Sequence, residues 1–361
     1  MENNLTNEYI DTAIEELISL LGIRESVLIE KIKIPYRRED IKECVKDLTY
    51  YLGLPIEINL SYVSKDYTPD NSDSFNSKNL VKTDYRGRGN EGIVAQVSIP
   101  SNLPIYGSPN LKNFPIKIRV SENCAEYPDS FISVMAHELS HVILYSLLHK
   151  NKDNEFYTDL TAMVLGFSGI MEYGRKNVEV ERGFESKTIH TTTYGYLSDE
   201  QFKYAFNKIN HLINKYKELK KKTLRRTESL KSKLLFHNET IFKFEKYLKN
   251  IGKYHDKNFE KSDELRIMLM NQIGYTDQLY AVIKENNEKL VNFTEFITKA
   301  ELYSNNYLAK TKELEENLKI SFRNLNIKFS SLNEDIQLLK KYTGLFNRIK
   351  IFVLFILSPT K

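Results

Sequence analysis

Residues 133–167 read SVMAHELSHVILYSLLHKNKDNEFYTDLTAMVLGF, and they set His137, Glu138, His141, Glu155 and Asp159 inside an otherwise apolar run. A buried helix tolerates such groups only where each has a partner, so this stretch is expected to hold something charged. On an α-helix two histidines four residues apart project from one face, one above the other. Both imidazoles of His137-Glu-Leu-Ser-His141 can therefore reach a single ion, with Glu138 beside it. The spacing is that of a zinc site in a metallohydrolase. The apolar surroundings, Val134, Met135, Ala136, Leu139, Val142, Ile143 and Leu144, strengthen the reading, because a metal supplies the compensation that buried polar groups need.

A catalytic zinc takes three protein ligands and leaves a position to water, so a further ligand is expected downstream. Glu155 and Asp159, four apart on a second expected helix, supply it. Glu155 can bind the ion while Asp159 accepts a hydrogen bond from the far nitrogen of a ligand histidine, His137 by preference. The reverse assignment, with Asp159 on the ion and Glu155 in a loop, stays open at this point. His149 lies eight residues past His141, too far along one helix axis for the same ion, and reads as a solvated helix-end histidine.

HExxH followed by ExxxD resembles the gluzincin metallopeptidases, with Glu155 as ligand and Asp159 as its supporting partner. The short gap between the two helices and the strands just before the site look more like the compact minigluzincins than like thermolysin. The resemblance covers roughly residues 55 to 200 and is specific at His137, Glu138, His141, Glu155 and Asp159. It implies one Zn²⁺ per chain, peptide-bond hydrolysis with Glu138 as general base, and a protein or peptide substrate laid as an added strand along "FPIKIRVSE". It also implies a downstream donor to the developing oxyanion. "KTIHTTTYGYLSDEQF" offers His190, Tyr194 and Tyr196, and His190 and Tyr194 are the expected pair, against a background of 23 tyrosines in the chain.

Outward from the site, "PIEINLSYV", "GIVAQVSIP" and "FPIKIRVSE" read as three strands of one small sheet, and the polar stretch between the first two as a surface loop. Helical spacing of Ile10, Ile14, Leu17 and Leu21, repeated after Pro35, marks a helical lead-in over 1–53. Asp129 or Ser130 is expected to cap the HExxH helix, and the glycines of "LGFSGIMEYGR" to allow close helix packing. The catalytic domain is then 54–200.

Beyond it, apolar positions recur in steps of four and three, as heptads do: Phe206, Ile209, Ile213, Tyr216 and on to Ile251, then Leu279, Ile283, Leu290 and on to Leu325. Asn286 and Thr311 interrupt the second seam. With Gly252 and Gly274 bracketing the gap, 201–345 reads as long helices folded back as an antiparallel coiled coil, or as a dimerising one. The expected class is α+β, a zincin-like domain with a three-stranded sheet followed by a helical coiled-coil region.

Residues 346–361 form an apolar tail with seven consecutive apolar residues from Ile351 to Leu357, too short to span a bilayer but able to bury against protein or touch a membrane surface. A net charge of +4 does not call for nucleic acid, and the lysines and arginines between Lys203 and Lys233 read as a solvated helix face. Two cysteines far apart give no disulfide framework, and the amino terminus lacks signal-peptide character, so the cytoplasm is the expected compartment. A protease there needs restraint, so the helices are expected to recruit or regulate, in a stress response or in defence against phage.

Overall fold

The computed structural model describes residues 6–37, 39–64, 82–83, 95–122, 127–182, 187–258 and 263–343. The chain is α+β: a small mixed sheet of three strands together with long helices. It divides into two compact units, Met1–Tyr216 with Glu301–Asn305, and Lys217–Ala300 with Asn306–Lys361.

In the first unit, α1 (Asn7–Leu21) starts at Thr6, whose side chain accepts from the Tyr9 amide, and buries Ile10, Ala13, Ile14, Leu17 and Leu21 along one face. β1 (Ile23–Arg24) follows, then α2 (Asp40–Tyr51), which buries Ile41, Cys44, Val45 and Leu48. The lead-in helices pack on the site's own framework: α1 lies against the helix carrying Glu155, and α2 against the HExxH helix.

β2 (Glu57–Val63), β3 (Lys82–Thr83), β4 (Ala95–Ser98) and β5 (Pro115–Ser121) come next. The three-stranded sheet has the order β2-β5-β4, with β2 parallel to β5, Leu60 opposite Ile118, and β4 antiparallel, Val97 opposite Ile118. The three expected strands thus share one sheet. The expectation for "FPIKIRVSE" needs correcting: this strand is central and paired on both sides, so its backbone has no exposed edge to offer a peptide. The outer strands of this sheet are β2 and β4. The stretch read as a surface loop contributes β3, and its other residues from 65 onward lie outside the described ones.

α3 (Pro128–Ser146) is buried continuously from Ser130 to Leu144. It starts with Pro128 in its first turn, not at an Asp129 or Ser130 cap, because proline brings helical φ and lacks the amide that a cap would satisfy. α4 (Glu155–Ala162), a kink at Met163–Phe167 where Gly166 takes φ +99, and α5 (Ser168–Gly174) form one winding segment beside it. A Cβ on Gly174 would stand 2.3 Å from the Asp129 carbonyl, so glycine is what lets α5 approach α3 this closely. β6 (Lys176–Arg182) and β7 (Lys187–Thr193) form a hairpin that, with β3, makes a second three-stranded sheet the sequence reading did not separate.

α6 (Asp199–Asn258), α7 (Asp263–Lys299), β8 (Leu302–Tyr303) and α8 (Asn305–Thr343) complete the chain. The second unit's core is shared by three helices: Leu234, Ile241, Phe244 and Leu248 of α6, Leu279 to Ile297 of α7, and Leu318 to Leu332 of α8. Gly252 and Gly274 bracket the break between α6 and α7 as expected, each lying inside its helix, where a glycine costs roughly 1 kcal/mol. The second seam is not one helix, since β8 interrupts it to pair with β1, Ile23 opposite Tyr303. No helix among the described residues is long and apolar enough to cross a membrane. The apolar tail, 346–361, lies outside them.

Candidate metal centre

α3 presents His137 and His141 one turn apart, ring centroids 5.0 Å from each other. With Glu138 they form a fully buried group whose ligand atoms lie within 4.8 Å of one another, and such a group could hold a metal ion. Glu155, the first residue of α4, brings Oε2 to 3.0 Å from His137 Nε2 and 3.1 Å from His141 Nε2. Ligands about 2.0–2.1 Å from one tetrahedral ion stand about 3.3 Å apart, so these separations suit a shared cation. The donor set suits one as well: Glu138, Glu155 and Asp159 put three carboxylates around two imidazoles, an excess of negative charge that a divalent ion would offset.

The two acids that the sequence left open make different contacts. Asp159 Oδ1 is 2.7 Å from His137 Nδ1, the nitrogen facing away from Glu155. Asp159 Oδ2 accepts from the backbone amides of Tyr196, 2.8 Å, and Leu197, 3.2 Å. Its oxygens are thus committed to the histidine and to the chain, and Glu155 is the acid that faces both ring nitrogens. His141 Nδ1 meets Thr158 Oγ1 at 3.3 Å, which fixes the second ring in the same manner.

The loop after β7 makes this support possible. Gly195 has φ +90, and a Cβ there would stand 3.2 Å from Asp159 Oδ2, so glycine allows the backbone to close on the carboxylate. Arg175 anchors the loop from behind, donating to the Leu197 carbonyl at 2.7 Å and lying over the Phe202 ring, 4.3 Å from its centroid. Val97 of β4 donates its amide to Glu138 Oε2 at 3.2 Å, fixing that carboxylate beside the pair.

The electrostatics follow from these contacts. Burial opposes a charge on His137, but Asp159, with Glu155 and Glu138, outweighs it and holds the imidazole up at about 10. Burial would raise Glu155, and the hydrogen bonds from His137 and His141 overcome that and hold it down at about 2. Burial, then the nearby Glu155, Glu138 and Asp159 carboxylates, push the Tyr196 phenol well above the usual tyrosine range.

Among the described side chains of the downstream candidates, Tyr196 stacks its ring on His137, centroids 5.6 Å apart. It also lines, with Glu155, Phe156, Asn154 and Lys150, an open cleft of about 400 Å³. Tyr194 is buried, with its amide donating to the Arg175 carbonyl. His190 stands in β7 opposite Glu179, and its side chain lies outside the described ones. His149 is not a solvated end residue. It is buried 3.4 Å from Glu16, because α3 stops at Ser146 and the chain turns inward against α1. The sequence signal that separates Tyr196 from its neighbours is the glycine before it, which turns the chain towards Asp159.

Comparison with protein-family models, with curated proteins and with solved structures found no match for this chain.

Proposed function

We propose that this chain is a zinc-dependent endopeptidase of gluzincin type, with His137, His141 and Glu155 as metal ligands. The observation that carries the reading is that Glu155 Oε2 stands against both histidine Nε2 atoms while the Val97 amide holds Glu138 beside them. A site built only for structure needs ligands but no buried acid fixed next to them.

When bound, Zn²⁺ would lower the pKa of its water towards about 7 and polarise a substrate carbonyl. The protein's residues carry the rest of the cycle. Glu138, oriented through Oε2 by the Val97 amide, accepts the proton of the attacking water and returns it to the leaving amine. Asp159 keeps His137 in the tautomer that leaves Nε2 to the ion. Tyr196, whose phenol is pushed up by burial and then by the nearby carboxylates, offers a hydroxyl at the wall of the cleft. The substrate is a peptide, and the cleft beside Glu155 and Tyr196 is its entrance.

The three-helix unit is proposed to be a coiled-coil region that recruits a partner or restrains the protease. Heptad spacing of its shared core supports this. The test pairs two measurements on wild type and Glu138→Gln: zinc content by elemental mass spectrometry, and cleavage of an unstructured protein such as casein. About one zinc per chain in both, with cleavage in wild type alone, is expected. A wild type that cannot be loaded with zinc would overturn the metal reading, and a zinc-loaded wild type as inert as Glu138→Gln towards broad peptide libraries would overturn the peptidase.

A further inference from the structure

α4 has only eight residues, and the one proposed to bind the metal, Glu155, is its first. First-turn residues are the least secured by a helix's own hydrogen bonds, so a ligand placed there needs support from outside. That support comes from α1. Asn154 caps α4, its Oδ1 accepting from the Phe156 amide at 3.0 Å and the Tyr157 amide at 3.4 Å. The far end of the Asn154 side chain donates to the Tyr9 hydroxyl at 3.2 Å. Two turns further along α1, Glu16 accepts from the Tyr157 hydroxyl at 2.9 Å and meets Lys150 at 3.0 Å and His149 at 3.4 Å.

Glu16 thereby grips both ends of the connection between α3 and α4. Lys150 and His149 lie on its α3 side, and Tyr157 lies on α4 two residues past Glu155. The Tyr9 and Tyr157 rings meet edge to face at 6.1 Å, and His149 lies against Tyr157 at 5.2 Å, so the polar contacts are enclosed by aromatic surface. The connection would otherwise set the distance from Glu155 to the two histidines only loosely.

We infer that Glu16, acting with Asn154 and Tyr157, is a positioning residue for the metal site, which sets Glu155 against His137 and His141. The inference rests on the metal-site reading above. Its consequence is that α1, remote in sequence from the HExxH motif, is part of what determines metal affinity.

The experiment is a double-mutant cycle on the full chain, reading Zn²⁺ affinity by chelator competition. Glu16→Gln, Tyr157→Phe and Glu155→Ala are made singly, and the first two are also combined with the third. Loss of a supporting contact typically weakens a metal site about 10–100-fold. Glu16→Gln and Tyr157→Phe are each expected to weaken binding about tenfold alone, and to change nothing further in the Glu155→Ala background. The Co²⁺ form of each single variant should lose part of the strong visible absorption of a four-coordinate site. Equal affinities for wild type and the single variants, in protein that binds zinc in a Glu155-dependent manner, would overturn the inference and leave the metal site standing. The same loss with and without Glu155 would reduce Glu16 to a general stabiliser. A wild type without zinc affinity would remove both readings together.

Discussion

Asp159 takes the Tyr196 amide on Oδ2, 2.8 Å from nitrogen to oxygen, while its Oδ1 stands 2.7 Å from His137 Nδ1. One side chain thus joins the loop after β7 to the HExxH helix. Anything that moves the loop is therefore felt at the histidine.

Gly195→Ala tests that relationship. The new methyl would meet Asp159 Oδ2 at 3.2 Å, and alanine would have to hold φ +90, which costs about 1–2 kcal/mol. The expected result is a fall in the thermal midpoint of roughly 2–8 °C for a unit of this size, with weaker zinc binding. Scanning calorimetry and chelator competition check it, and an unchanged metal affinity would uncouple the loop from the site.

Glu155→Ala and Asp159→Asn separate ligand from support. Removing Glu155 takes away a donor that faces both Nε2 atoms and should weaken zinc binding the more. Asp159→Asn leaves the shape but unsettles the tautomer of His137, for about a 10–100-fold loss. The opposite order would make Asp159 the ligand.

Tyr196→Phe is expected to keep the zinc and lower kcat about 10²-fold, since it removes one donor near the reacting carbonyl. Tyr194→Phe and His190→Gln are the controls. If either of them, and not Tyr196→Phe, carries the loss in steady-state cleavage assays, the donor lies elsewhere.

The pH dependence of the metal-free protein follows from two groups. His137 is held up at about 10 from an ordinary 6.5, so it contributes stability that is complete below 6.5 and is lost as pH rises to 10. Glu155 is held down at about 2 from 4.5, so its contribution is present above 4.5 and is lost as pH falls to 2. Chelator-treated protein should accordingly be most stable between about 4.5 and 6.5. The zinc form, where the ion takes the place of the His137 proton, should keep its stability to higher pH. Thermal midpoints across pH 3–10 with and without zinc measure both limbs.

In the helical unit, Asn286 is 1% exposed, with Nδ2 donating to the Val282 carbonyl at 2.8 Å and Oδ1 buried without a hydrogen-bond partner among the described residues. Asn286→Leu should therefore raise stability by about 1–3 kcal/mol, read from urea unfolding. A loss would show that the asparagine fixes helix register at a net gain.

The site was legible in the sequence to the extent that it follows from helix periodicity. A four-residue step puts His137 and His141 on one face, and the same step puts Glu155 and Asp159 on another, whatever the rest of the fold does. Tyr196 was harder to single out because loop geometry, and not spacing, brings it to His137. The support of Glu155 by Glu16 was not legible at all, for it joins segments some 140 residues apart. The three strands could be recognised from alternation, but their order could not: nothing in "FPIKIRVSE" says that β2 and β4 flank it. The heptad seams gave helices correctly, yet they continued through Ala300 and Ser304, where pairing of β8 with β1 overrides a repeat that local pattern alone would extend.

That pairing has a consequence for how the molecule is made. Every residue of the candidate site has been synthesised by the time Leu197 is added, yet the compact unit that contains it also includes Glu301–Asn305. At about 5–20 residues per second, the ribosome takes roughly 5–20 s to cover the hundred residues between. During that interval β1 has no strand to pair with, and the Glu25 amide lacks the Glu301 carbonyl that it later bonds at 2.9 Å. Completion of the unit that houses the site is thus timed by the arrival of a two-residue strand from the far side of two long helices.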